Sequence, residues 1–163
     1  MGPRPRMLID GDLAAFLESP VMIILGTSDE YLRPQIGRGV GAMVASTEGR
    51  VDVTVSNRQW PMAVANVRAN GKLAVTFARP HDYVSYQVKG RASVIDASPS
   101  HIASSRQYIA AVSAALVGLG LEDWVAAQWF SDEEPLVLSL AVESIYVQTP
   151  GQQAGRTFDR QRS

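Results

Sequence analysis

The sequence predicts a mainly β protein with flanking helices, in which six antiparallel strands close into a barrel. Two observations lead to this class. The strand candidates are short segments with alternating apolar and polar residues, and short turns join them instead of the long crossovers that a parallel sheet needs. The 163 residues suit one domain, so we expect a single domain over residues 1–163, with flexible tails at 1–7 and 152–163.

The chain starts with a predicted short helix, for which Asp10 or Asp12 offers an N-cap and which ends at Pro20. A β-branched apolar run then predicts a buried first strand at residues 21–25. Alternating apolar residues predict the next four strands, at residues 35–45, 51–56, 72–78 and 83–95. Among these, residues 51–56 (VDVTVS) alternate with strict period two.

Proline and glycine positions predict the helices. Proline at the first turn and a closing Asn70-Gly71 indicate a helix at residues 61–69, and Ser98-Pro99 starts a longer one. The buried stripe of that longer helix is predicted to contain Ile102, Ser105, Ile109, Val112, Leu116 and Leu119. Residues 121–130 form one more helical segment, and residues 136–147 form the last strand. The alternation of that strand slips near Glu143-Ser144, which predicts a bulge.

Composition excludes several classes of function. A net charge of −1 and a pI of about 6.1 give no basic field for nucleic acid or an anionic membrane. The absence of cysteine removes disulfides, thiolate metal sites and a cysteine nucleophile, and two histidines are too few for a three-histidine site, so we expect no metal. With neither a signal peptide nor an apolar run of about 20 residues, a cytoplasmic protein is expected.

The glycine-rich segment 37–41 (GRGVG) does not fit a dinucleotide fingerprint, because a turn follows it instead of a long helix. Arg38 is its notable residue. Strand parity places Arg38 on an apolar face with Ile36, Val40 and Val44, where a guanidinium needs an anionic partner. That partner is either a carboxylate of the protein or a ligand, unless the side chain leans out of the barrel end into solvent. The alternate glycines on the opposite face indicate either close approach of a backbone or flat ligand, or sharp barrel curvature.

Gln87, Lys89 and Arg91 project from one face of the fifth predicted strand, about 7 Å apart. Two interpretations stay open. The three form a solvated outer face, or they line a groove in which Gln87 hydrogen-bonds a heterocycle and Lys89 or Arg91 holds a phosphate.

From about Leu13 to Val147, the chain resembles the pyridoxamine phosphate oxidase-like flavoproteins, the FMN-binding split β-barrel family. The resemblance lies in the order of several weak motifs: DLAAFLESP leading into VMIILGT, then PQIGRGV, VDVTVSN, PMAVANVRANGKLAVTF and YQVKGRA, with VQTPGQQAG at the end. The resemblance implies an antiparallel six-stranded split barrel that forms a homodimer, with FMN at the subunit interface.

In that family the arginine at the position of Arg38 holds the FMN phosphate, and neighbouring main chain meets the flavin. The resemblance therefore implies a cofactor-binding set, which is Arg38, Gly39, Val40, Val55, Ser56, Asn57, Arg58 and Gln87. The groove interpretation of the fifth strand adds Lys89 to this set. It also implies hydride exchange between the flavin and a small substrate. No residue stands out as a general acid or base; Tyr86 and Lys89 are candidates.

The sequence departs from the family pattern in two places, which affect the expected binding of FMN and the expected substrate. The phosphate-binding serine–arginine–lysine run aligns with the uncharged Pro61-Met62-Ala63. Arg58 then substitutes from the preceding turn, or FMN binds weakly or not at all. The arginine–histidine signature that grips pyridoxine phosphate is absent from residues 148–162, so oxidation of vitamin B6 is not expected.

Three hypotheses follow. The first is an FMN-dependent oxidoreductase. The second is a non-catalytic protein that binds or senses a flavin, a deazaflavin or haem on the same barrel. The third is a dimer without a ligand, held by Trp124, Trp129, Phe130 and the helix at 109–119, although these aromatic residues also suit simple core filling.

Overall fold

The structure is a computed structural model, and it describes residues 9–158. These residues form six strands and four α-helices. In order they are α1 (Gly11–Leu17), β1 (Met22–Ser28), β2 (Pro34–Ala45), β3 (Arg50–Ser56), α2 (Pro61–Asn70), β4 (Lys72–Ala78), β5 (Ser85–Asp96), α3 (Pro99–Gly118), α4 (Asp123–Trp129) and β6 (Pro135–Val147). The predicted order of elements is confirmed.

The six strands form one closed antiparallel barrel, in the order β1-β2-β3-β6-β5-β4. The barrel interior is filled by β-branched and large apolar side chains: Val51, Val53, Val55, Val75 and Phe77 are all fully buried. Because a closed barrel leaves no free sheet edge, every strand is hydrogen-bonded on both sides. The predicted six-stranded antiparallel barrel is confirmed.

Two β-bulges interrupt the ladders. The β5–β6 register shifts between Lys89 and Gly90, where Glu143 is the extra residue of β6, as the sequence predicted near Glu143-Ser144. A Cβ on Gly90 would lie 1.9 Å from the Ala141 carbonyl oxygen, so glycine is needed where β5 passes the bulge of β6. The second bulge, between Gly39 and Ala42 of β2, was not predicted.

Parity correctly placed Arg38 on one face with Ile36, but the prediction that this face is apolar and also contains Val44 was wrong. The bulge between Gly39 and Ala42 reverses the parity, and Val44 pairs with the buried Val51. Gly37 and Gly39 face the barrel interior, where a Cβ on Gly39 would lie 2.6 Å from Ile23 Cγ2 and 2.7 Å from Val53 Cγ1. Arg38 therefore lies on the outer face, and Ile36 on that face is 67% exposed. The physical reason is that neighbouring core side chains fill the space in front of the glycines, which parity and hydropathy alone do not reveal.

Helix α3 packs across β2 and β3 through Ser105, Tyr108, Val112 and Leu116. Gly41, with φ +149°, lies in the β2 bulge, and a Cβ there would be 3.2 Å from Ser105 Cα. The close approach that the alternate glycines predicted is therefore made by the protein itself at this position. The predicted stripe of α3 missed Tyr108 and included Leu119, which is 56% exposed.

The end of the described chain returns to the barrel. Thr157 forms a bridge with Tyr146, and the Phe158 ring contacts the Tyr86 ring edge-on at 5.4 Å. The predicted tail at 152–163 lies partly in this segment, while residues 1–8 and 159–163 are outside the described residues.

Candidate functional site

Strand register places five side chains in one row across the outside of the barrel. Arg38 pairs with Ile24, Ile24 with Thr76, Thr76 with Gln87, and Gln87 with Tyr146. Directly paired residues share a face of the sheet, so all five point outward. We call this set the outer row. Arg38 and Gln87 are three strand spacings apart in it, about 14 Å between their Cα atoms.

Arg38 is held by an aromatic ring. Its guanidinium carbon lies 4.6 Å from the ring centroid of Trp129, the last residue of α4. Its Nη1 atom is buried and has no hydrogen-bond partner among the described residues. A buried N–H donor without an acceptor costs about 1–3 kcal/mol, so the geometry favours an anion at this atom.

Tyr108 of α3 supports the same region. Its hydroxyl donates to the Val21 carbonyl oxygen at 2.6 Å. Burial raises the pKa of the Tyr108 hydroxyl, and the positive charge of Arg38 acts in the opposite direction. Tyr108 therefore stays neutral and ties α3 to the start of β1, next to the outer row. The sequence contains the signal that could have found it: Tyr108 is three residues after Ser105 on the same helix face.

Trp60, the N-cap residue of α2, is a second residue that was not predicted from the sequence. Its Nε1 is a second buried donor without a partner among the described residues. A Cβ on Gly37, the residue before Arg38, would lie 3.4 Å from Trp60 Cγ. This unpartnered N–H donor lies at the start of α2, on the inward side of Gly37, where the predicted basic run is missing and Met62 is 57% exposed.

The turn after β3 is bonded to the segment before β6. Ser56 Oγ donates to the Glu133 carbonyl oxygen at 2.6 Å, and the Asn57 amide donates to the Glu134 carbonyl oxygen at 3.0 Å. Arg58 pairs with the Glu133 carboxylate at 3.1 Å, and its side chain is 71% exposed. Ser56 already has an acceptor, whereas the exposed Arg58–Glu133 pair contributes little to stability and leaves Arg58 free to exchange partners.

The other predicted residues divide between the two faces of the barrel wall. Val55 and Val40 are buried, and Val55 is paired in register with Gly39. Gln87 lies half-buried in the outer row, and Lys89 is exposed on the same face, with its ammonium 5.2 Å from the Tyr146 ring centroid.

Tyr86, one of the two candidate acids or bases, is on the opposite face of β5 from Gln87 and Lys89. Its ring contacts Phe16 edge-on at 5.2 Å and packs against the core. Tyr86 is thus separated from the outer row by the barrel wall, and of the two candidates only Lys89 shares its face.

The family model described as pyridoxamine 5′-phosphate oxidase matches residues 9–149, which include every strand and the whole outer row. The chain belongs to the pyridoxamine 5′-phosphate oxidase-like family of split β-barrels. This confirms the family that the motif order indicated. Among curated proteins, no sequence matches this family member.

Solved structures share the fold of this family member at low identity. HupZ from Group A Streptococcus is 16% identical, with 91% of this chain and 100% of that chain covered and a TM-score of 0.56. A protein described as a pyridoxamine 5′-phosphate oxidase, from Lactobacillus delbrueckii, is 14% identical over 90% of this chain and 100% of its own, with a TM-score of 0.54. HutZ, the haem storage protein from Vibrio cholerae, is 13% identical over 86% and 95%, with a TM-score of 0.51.

Two features of residues 9–158 bear on the expected partners. No helix in this part of the chain is long and apolar enough to cross a membrane. No group of three or more histidine, aspartate or glutamate side chains in it is arranged to hold a metal ion.

Proposed function

We propose that this family member is an oxidoreductase that binds FMN along the outer row, with the flavin phosphate at Arg38. The observation that carries the proposal is the buried Nη1 of Arg38, which lacks an acceptor. A phosphate oxygen is the acceptor that a guanidinium binds best, because the bond is charge-assisted.

The remaining residues of the predicted set have separate roles in this proposal. Gln87 offers an amide to the polar edge of the flavin, about 14 Å from Arg38 along the outer row. The main chain of four residues borders the cofactor: Gly39, Val40, Val55 and Asn57. Arg58 and Ser56 approach the phosphate from the turn after β3, and Lys89 approaches the flavin from the next row.

Bound FMN would supply hydride exchange with a small substrate, and the chain would supply binding, orientation and cover. The outer row contains no carboxylate and no imidazole. The row therefore orients the cofactor, and Lys89 is its nearest titratable neighbour on β5.

The proposed active form is a homodimer with FMN between the subunits. Apolar side chains on and beside the outer row are open to solvent, with Ile24 36%, Ile36 67% and Leu32 75% exposed. Burial of this surface against a second copy would stabilise the dimer at about 25 cal/mol per Å² of apolar area, and it would place a second wall over the outer row.

The test is the visible spectrum of the purified protein, incubated with FMN and then passed through a gel-filtration column. One co-migrating flavin per subunit is expected for the natural sequence and for Arg68→Ala, a control at an exposed arginine of α2. Arg38→Ala is expected to lose the flavin while its circular dichroism spectrum is unchanged. Stoichiometric flavin retained by Arg38→Ala would refute the assignment.

A second candidate function, non-catalytic binding of a flavin, deazaflavin or haem, is favoured by one observation. The start of α2, where the family has its basic phosphate-binding run, carries the uncharged Pro61-Met62-Ala63, so this chain lacks part of the family's usual hold on the FMN phosphate. Anaerobic reduction by NADH or NADPH, followed by reoxidation in air, separates the two functions. Flavin that stays oxidised with both donors supports the binding protein.

A further inference from the structure

A second cleft opens on the outside of the barrel, on the same face as the outer row but further along β4 and β5. Its volume is about 510 Å³. Three cationic side chains line it, and they are Lys72, Lys89 and Arg91. Glu143, the bulged residue of β6, is the one carboxylate in its lining. The cleft therefore carries a formal net charge of about +2 at neutral pH.

Register brings these cations together. Lys72 and Arg91 are directly opposite each other on β4 and β5, and Lys89 is two residues from Arg91 on the same face. Directly paired like charges destabilise a sheet by a few tenths of a kcal/mol or more. Among the described residues, no carboxylate lies within 4.0 Å of the charged nitrogens of these three side chains.

The contacts that these side chains do make leave most of their donors free. The Arg91 Nη1 donates to the Asn70 carbonyl oxygen at 3.0 Å, which fixes the guanidinium at the start of β4. Lys89 lies over the Tyr146 ring. Ser28 and Ser144 add hydroxyl groups to the lining. Fixed cations with spare N–H donors and nearby hydroxyl groups are the chemistry that binds phosphate and carboxylate groups.

The cleft is distinct from the proposed phosphate position at Arg38. Arg91 follows Gln87 by four residues on β5, about 13 Å along the strand, and Arg38 is three strands further away. A single phosphate cannot contact both Arg38 and the Lys72–Arg91 pair.

We propose that this cleft is a separate binding site for a small polyanion, a molecule with two or more phosphate or carboxylate charges. A net charge of about +2 selects for such a ligand, because a monoanion leaves the cleft with uncompensated charge. The Lys72–Arg91 pair takes no part in the proposed flavin contacts. Lys89 is the one side chain that the cleft shares with the proposed flavin site, so the polyanion site is tested without FMN.

Isothermal titration calorimetry with inorganic pyrophosphate tests the site, at low ionic strength and without FMN. The natural sequence is expected to give saturable binding with one site per subunit. Lys72→Ala and Arg91→Gln are each expected to weaken binding about tenfold, as for loss of one charge-assisted hydrogen bond. Lys72→Arg keeps the positive charge and is expected to bind pyrophosphate as the natural sequence does. Arg106→Ala, at an exposed arginine of α3, is the control and is expected to bind like the natural sequence.

Glu143→Gln gives a second test in case Lys72→Ala or Arg91→Gln perturbs its strand. It removes the cleft's carboxylate with little change of shape, so pyrophosphate is expected to bind about fivefold tighter, which corresponds to about 1 kcal/mol. Absence of saturable binding by the natural sequence would overturn the proposal, as would an equal loss in Arg106→Ala.

Sedimentation of the same variants separates a free polyanion from acidic side chains of a second copy. If Lys72→Ala and Arg91→Gln shift the monomer–dimer equilibrium and leave pyrophosphate binding unchanged, the cleft is a subunit contact and the proposal fails. Flavin retention is measured separately on the same samples. Failure of the FMN proposal then appears as lost flavin retention, and failure of the polyanion proposal appears as absent pyrophosphate binding.

Discussion

The guanidinium of Arg38 stacks on the Trp129 ring, with 4.6 Å between the guanidinium carbon and the ring centroid. The two residues come from β2 and α4, which are about ninety positions apart in the chain. A cation–π contact holds an arginine in place without neutralising it, in contrast to a carboxylate. The charge of Arg38 therefore stays available to a ligand.

Trp129 is expected to act as a positioning residue for Arg38. Trp129→Ala should weaken FMN binding about tenfold, within the 0.5–2 kcal/mol range of cation–π contacts, and Trp129→Phe should weaken it less. Quenching of flavin fluorescence on binding gives the dissociation constants. If Trp129→Ala binds FMN more tightly than the natural sequence, Trp129 covers the site instead of ordering it.

Trp60 offers a test of the second unpartnered donor. Trp60→Phe keeps an aromatic ring against Gly37 and removes the buried Nε1–H. Without a ligand, this variant should be as stable as the natural sequence or slightly more so, because an unsatisfied donor disappears. With FMN, the stabilisation seen in thermal unfolding should be the same in both proteins, because the Trp60 ring lies on the inward side of Gly37 whereas Arg38 points outward. A smaller stabilisation of Trp60→Phe by FMN would instead place the Trp60 Nε1 at the ligand.

Gly39 should not tolerate a side chain. In Gly39→Ala, the new Cβ meets Ile23 and Val53 inside the barrel, and overpacking of this kind costs about 1–3 kcal/mol. Gly118→Ala is the matched control, because no atom lies within 4 Å of its Cβ position at the end of α3. Urea unfolding should show a loss for Gly39→Ala and no loss for the control. Equal stability of the two variants would contradict the observed inward face of Gly39.

Asp52 joins three elements and should be important for stability. Ser139 Oγ donates to its carboxylate at 2.7 Å, and the His101 Nε2 lies 2.9 Å from it. The Ser98 amide donates to His101 Nδ1 at 3.0 Å, which leaves Nε2–H to donate to Asp52. Asp52→Ala should lower the free energy of unfolding by about 1–3 kcal/mol for each donor left unsatisfied. Asp96→Ala, at an exposed position, should show no such loss.

The Arg79–Asp82 pair predicts a pH dependence at the acid end. The hydrogen bonds from Arg79 lower the pKa of Asp82 from 3.8 to about 2. A carboxyl group whose pKa is lower in the folded state stabilises that state above its unfolded pKa, and the contribution is lost as the pH falls through the folded pKa. The stability difference between the natural sequence and Asp82→Asn should therefore be constant above about pH 5 and disappear towards pH 2. A difference that does not change with pH would refute this role.

Much of the barrel could be predicted from local signals. The alternation of VDVTVS places β3, and the slip at Glu143-Ser144 predicts the β5–β6 bulge, because both are short-range patterns in the chain. The face of Arg38 was wrongly predicted to be apolar, because parity cannot tell which side of a glycine-rich strand the core occupies. Trp60 and Trp129 were not predicted as neighbours of this strand, since their contacts depend on how α2 and α4 pack.

The sequence by itself determined the order of strands and helices along the chain and the family, since hydrophobic period, capping residues and motif order are properties of neighbouring residues. Only the tertiary structure decided that Arg38 points outward, that Trp129 stacks on it, and that Lys72 lies opposite Arg91. These relationships depend on register, on the β2 bulge and on packing between distant segments. Such contacts form only when the barrel closes, and no periodic pattern in the sequence predicts them.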